Sequence, residues 1–165
     1  MGKACSQLRF LREKGEDSME RSDWLLLLLG SPTKEGATPP LEPVRVMKGM
    51  FLLVMDGNLD DPPSYNFEPY HYGPVSLQIY DDLAQLAEEG TIEALPVLGY
   101  SWRRYRLSPE GMARYEELRT RLELDVGEEI ERVKELVAGL SFRALLRHVY
   151  TRYPEYAVYS VIGRL

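Results

Sequence analysis

The apolar positions of this chain fall into blocks whose period changes along its length. Residues 24–29 are apolar all round, which predicts a short buried helix that Asp23 can cap. Residues 30–40 carry glycine, serine, threonine and three prolines, the composition of a loop. Pro43 suits the first turn of a second helix, which should run to about Met55. There Arg45 and Lys48 share one stripe, while Val44, Val46, Met47, Met50, Phe51, Leu53, Val54 and Met55 cover the rest. This should be the central core helix. Residues 56–72, rich in aspartate, proline and aromatics, read as an ordered loop.

Gly73-Pro74 opens a predicted helix over residues 74–89. Its apolar side is Leu77, Ile79, Tyr80, Leu83, Leu86 and Ala87, and Gly90 supplies a left-handed stop. Residues 91–98 and 101–107 alternate like strands and turn around Gly99-Tyr100, a β-hairpin. Ser108-Pro109-Glu110 starts a helix reaching Leu124. Asp125 and Glu128 form a capping-box pair for a helix to Gly139, and Ser141 caps another to Arg152. The sum is an α+β, mostly helical fold: a winged-helix-like core, in which the hairpin is the wing, with additional C-terminal helices. Three stretches follow: a flexible arm (1–22), the winged-helix-like domain (23–124) and a C-terminal helical extension packed on it (125–165).

Composition narrows the function classes. The chain has 165 residues, 44% of them hydrophobic and 28% charged, enough for one compact domain with a real core. No apolar run approaches the roughly 18 residues that span a bilayer. The expectation is a soluble, cytoplasmic protein with no membrane partner. Cys5 is the single cysteine, and His71 and His148 have no thiol near them, so neither a disulfide within the chain nor a zinc site is expected. No cofactor is indicated. Met1-Gly2-Lys3-Ala4-Cys5-Ser6 fits the loose myristoylation pattern, and its plainer reading is a leader ahead of a start at Met19. The formal charge of −6 repels nucleic acid on average, so local patches decide.

Two stretches look like endings common in bacterial winged-helix proteins. Residues 83–92 run Leu83-Ala84-Gln85-Leu86-Ala87-Glu88-Glu89-Gly90-Thr91-Ile92, and the second strand runs Tyr105-Arg106-Leu107-Ser108-Pro109-Glu110-Gly111 into its helix. Val46-Met47-Lys48-Gly49-Met50-Phe51-Leu52, together with Tyr72-Gly73-Pro74-Val75 and Tyr80, resembles the Panacea, or SocA-like antitoxin, domain over residues 41–112. Met47 and Gly49 depart from that family's usual glutamine and leucine. The chain is also similar to the bacterial YwgA-like family, through Tyr153-Pro154-Glu155-Tyr156. These resemblances imply a bacterial or phage-related protein that regulates transcription or neutralises a partner by contact.

Double-stranded DNA, a protein partner and a second copy of the chain are the ligands left open. A DNA reader would place helix 74–89 in the major groove, with Ser76 and Gln78 nearest the bases and Arg103, Arg104 and Arg106 of the wing on phosphates. The same helix carries Asp81, Asp82, Glu88 and Glu89 and no lysine or arginine, a serious objection. The alternative is a protein-interaction module that uses this acidic helix, through Asp81 and Asp82, and the loop aromatics Tyr65, Phe67, Tyr70 and Tyr72. The plainer reading of those aromatics is that they roof the core, with the loop as the partner site if there is one. A third reading is an accessory subunit of a defence or nucleic-acid enzyme. The leading expectation is a DNA-associated regulator or antitoxin-type protein.

Nothing in the sequence nominates a catalytic residue. Asp56-Gly57-Asn58-Leu59-Asp60 imitates half a calcium loop, but the glycine and glutamate that such a loop needs are here Asp61 and Phe67. Phosphate loops, nucleophile elbows and paired metal ligands are missing. The chain therefore reads as non-catalytic.

Overall fold

The computed structural model describes residues 19–163. Most of the expected N-terminal arm, with the acylation motif and Cys5, lies outside the described residues. The fold is α+β and mostly helical. Its elements are α1 (Asp23–Gly30), α2 (Pro43–Met55), β1 (Glu68–Tyr70), β2 (Gly73–Val75), α3 (Leu77–Glu88), β3 (Ile92–Pro96), β4 (Arg103–Leu107), α4 (Pro109–Arg119), α5 (Leu124–Gly139), α6 (Phe142–Arg152) and a 3-10 turn, Pro154–Ala157. Among the described residues no helix is long and apolar enough to cross a membrane.

The all-apolar α1 is buried along its whole length, packed by α2, α4 and α5. Such burial leaves the carbonyls at its C-terminal end without water. Lys134, itself buried on α5, supplies their donors: its Nζ lies 2.9 Å from the carbonyl oxygens of both Leu28 and Leu29. Helix α2 contributes Val46, Met47, Met50, Phe51, Leu52 and Leu53 to the same core. Tyr153, Tyr156 and Phe67 meet Phe51 edge-on, which ties the C-terminal turn to the centre. Asp56 accepts hydrogen bonds from Arg152 and Tyr153, so the residue that opens the false calcium loop anchors α6 instead.

The stretch between α2 and α3 is more structured than a loop. β1 and β2 form a short antiparallel hairpin, with Pro69 opposite Pro74 and the turn closed by Gly73 at φ +83°. Two prolines can face each other only where the ladder asks for no N–H. Gly73-Pro74 therefore belongs to a strand, and α3 starts at Leu77 rather than at residue 74. With the hairpin inserted there, α2 packs mainly on α5, and the main neighbour of α3 is β3. The crossing of α3 over α2 that a winged-helix core implies is not among the main contacts.

The wing forms as the alternation predicts. β3 and β4 pair from Ile92↔Leu107 to Pro96↔Arg103. Leu41 adds a third edge through two backbone bonds with Tyr105, at 2.9 and 2.8 Å. Gly90, at φ +78°, ends α3 in a Schellman motif, in which the N–H of Thr91 reaches the Leu86 carbonyl and that of Gly90 reaches Ala87. Ser108 then locks the base of the wing. Its Oγ accepts from the Gly111 N–H at 3.1 Å and donates to the Gly90 carbonyl at 2.5 Å. Ser141 caps α6 through Ala144, as expected. The Asp125–Glu128 capping box does not form, because α5 begins at Leu124 and Asp125 is already inside its first turn.

Candidate binding face

Helix α3 and the wing lie side by side. The Schellman turn reverses the chain, and β3 packs against α3. Ile79, Leu83 and Leu86 turn into the core at helical spacing. Leu77 sits about 200° around the helix from Ile79, so it points away and is 72% exposed. Tyr80 is 45% exposed beside it. At the wing tip Leu98 is wholly exposed and Tyr100 is 64% exposed, its ring 4.7 Å from that of Trp102. Four large apolar side chains of the α3–wing unit therefore face solvent, two in the first turn of α3 and two in the hairpin turn.

The rest of the exposed face of α3 is anionic. Asp81, Glu88 and Glu89 are exposed, and with Ala84 and Gln85 they line a shallow depression. Asp82 does not join them. Its carboxylate is buried and takes two hydrogen bonds at 2.8 Å from the Arg21 guanidinium and one at 2.7 Å from the Tyr65 hydroxyl. Burial raises the Asp82 carboxyl, but the Arg21 and Tyr65 hydrogen bonds outweigh it and hold the group below its ordinary value. Burial and the Asp82 carboxylate together push the Tyr65 hydroxyl up. Asp82 and Tyr65 are thus a structural pair, and a partner would not reach them.

The basic wing is largely paired. Arg106 meets Glu93 at 2.7 Å across the ladder, and Arg104 meets Glu42 at 3.3 Å. Arg103 is exposed and reaches only the Ala94 carbonyl, at 3.5 Å. By alternation Arg104 and Arg106 occupy the face of the hairpin opposite Tyr105. Arg45 and Lys48, the other cations that could have joined a phosphate clamp, are also committed. Arg45 donates to the Val137 and Leu140 carbonyls and pairs with Glu42, and Lys48 is buried under Pro74.

The base-reading pair fares no better. Ser76 is only 2% exposed, because it precedes the helix and its N–H points at the Met47 sulfur; its Oγ has no hydrogen-bond partner. Gln78 is half-buried and accepts the Asn66 N–H at 3.1 Å, which ties the loop to α3. Neither projects as a reader of bases. Among the loop aromatics, Phe67 packs half-buried on Phe51. Tyr70 and Tyr72 are exposed at the turn of the β1–β2 hairpin, where Tyr70 stacks on His71 and Tyr72 leans on Phe142.

By periodicity Leu77 and Tyr80 read as the buried side of α3 and Leu98 as part of a strand, which hid their exposure. The angular offset of Leu77 from Ile79 was the available signal. Among the described residues no group of three or more His, Cys, Asp or Glu side chains is placed to hold a metal ion. No protein-family model and no curated protein matches the chain.

Proposed function

We propose that this is a non-catalytic winged-helix-like protein whose α3–wing face binds another protein, in the manner of an antitoxin or regulator that acts by contact. One observation carries the proposal: the α3–wing unit exposes four large apolar side chains, Leu77 and Tyr80 on α3 and Leu98 and Tyr100 in the hairpin turn. Large apolar side chains left outside the core are what a protein interface buries. The likeness of residues 41–112 to the Panacea domain supports a contact-acting role.

The competing DNA reading needs cations and hydrogen-bonding side chains on the same face. The outer surface of α3 offers Asp81, Glu88 and Glu89 instead, and two of the three wing arginines are paired with carboxylates. Two parallel measurements separate the readings. Immobilised chain is expected to retain a discrete protein from native lysate and to lose it on Leu77→Asp with Leu98→Asp, while labelled duplex DNA shows no binding even at low salt. Duplex affinity falling steeply with salt and flattened by Arg103→Ala would overturn the proposal, since neutralised phosphates set that slope at about −0.9 each.

A further inference from the structure

The outer stripe of α3 has more order than an exposed apolar patch requires. Leu77, Tyr80, Asp81, Ala84, Gln85 and Glu88 follow one another at offsets 0, 3, 4, 7, 8 and 11, the spacing of a single helical face. All six are exposed, with the apolar pair in the first turn and the carboxylates following. At about 1.5 Å per residue the stripe is roughly 16 Å long. Glu89 flanks its end and takes a hydrogen bond from Gln85 at 2.9 Å. Glu20 is exposed beside it and lines a second depression that also includes Gln85 and Glu89. Arg21, which lines that depression, is occupied by Asp82 through two bonds. The stripe is therefore an exposed apolar pair followed by carboxylates that no cation among the described residues neutralises.

We propose that the partner segment received by this stripe is a basic amphipathic helix: one or two large apolar side chains that cover Leu77 and Tyr80, and Lys or Arg side chains one to three turns further along that meet Asp81, Glu88 and Glu89. The inference rests on the reading of the α3–wing face as a protein site, and it narrows that reading to one chemistry. Opposite charge on the partner is required because a neutral or acidic helix laid here would strand three carboxylates beside an apolar contact. Duplex DNA fails the same requirement, and a basic helix meets it.

The test uses the full chain and a fluorescently labelled 14-residue helical peptide with leucines on one face and lysines on the other, a counterpart in which every lysine is glutamate, and a 20-base-pair duplex. The basic peptide is expected to bind at low ionic strength and to weaken as salt rises. Glu88→Lys with Glu89→Lys should weaken it at least ~10-fold, since each exposed pair lost contributes modestly and reversal adds repulsion. Glu110→Lys with Glu116→Lys, which alters exposed acids of α4 away from the stripe, should change it less than ~2-fold. Equal binding of the acidic peptide, equal loss in the α4 control, or no loss in the α3 double variant would each overturn the inference. The broader reading is scored separately. Lysate capture that is abolished by Leu77→Asp with Leu98→Asp but indifferent to Glu88→Lys with Glu89→Lys would leave a protein site standing with the wrong partner chemistry.

Discussion

Lys48 gives the sharpest test of how the core is held. It sits on α2, 2% exposed, and its ammonium makes a single hydrogen bond, to the Pro74 carbonyl at 3.0 Å. Burial pushes it down to about 7 from an ordinary value of 10.5. At about 1.4 kcal/mol per pH unit, keeping this side chain charged in the fold costs on the order of 5 kcal/mol. Lys48→Met removes that cost and leaves the Pro74 carbonyl unpaired, a loss of about 1–3 kcal/mol. The variant should therefore be more stable than wild type at pH 6 by roughly 2 kcal/mol or more, with a Tm higher by about 5 °C. The pH dependence follows from the same shift. Between about 7 and 10.5 the unfolded chain binds a proton that the folded chain has released, so wild-type stability rises with pH over that window. Lys134, lowered by burial to about 8, adds the same trend from 8 upward. Urea denaturation at half-unit steps from pH 6 to 9.5 should show the rise in wild type and a smaller one in Lys48→Met. A flat wild-type profile, or a variant destabilised at pH 6 with an unchanged slope, would show that Lys48 is not buried as described.

Three further outcomes are expected. A Cβ on Gly111 would lie 2.0 Å from the Thr91 carbonyl oxygen, so Gly111→Ala should lower stability by about 3 kcal/mol through displacement of the wing base from α4, read as a reduced urea midpoint. Ser108→Ala removes the α4 cap and the donor to Gly90, and should cost about 1–2 kcal/mol in the same assay; an unchanged midpoint would contradict the role given to that hydroxyl. Asp82→Asn should cost about 1–3 kcal/mol at neutral pH by weakening the bonds from Arg21 and Tyr65. Because the folded Asp82 carboxyl lies below its ordinary value, the stability it adds is present above 3.8 and lost as pH falls through the folded value, so the deficit of the variant should be full at neutral pH and shrink in acid, and a deficit that is the same at both would contradict the pairing.

Much of the fold was written in local signals. The unbroken apolar block gave α1, proline and serine marked the starts of α2, α4 and α6, and alternation with Gly99 gave the wing. What local pattern did not reveal was the β1–β2 hairpin, since Pro69 opposite Pro74 looks like punctuation until the two strands pair. The site was less legible. Whether Arg104 and Arg106 face solvent as free cations depends on Glu42 and Glu93, and the Glu42 pairing exists only after Leu41 joins β4. Asp82 and Asp81 are neighbours in sequence, yet one is buried under Tyr65 and Arg21 and the other is exposed. Adjacent helical residues stand about 100° apart, so tertiary contacts divided a charge run that had looked uniform.

The most direct test of the central claim places a photo-crosslinking amino acid at position 77 and irradiates the chain in native lysate. The account predicts a discrete adduct with a polypeptide, competed away by unlabelled wild-type chain and absent when the crosslinker is placed at position 116 on α4. An adduct with nucleic acid instead, or identical products from both positions, would contradict it.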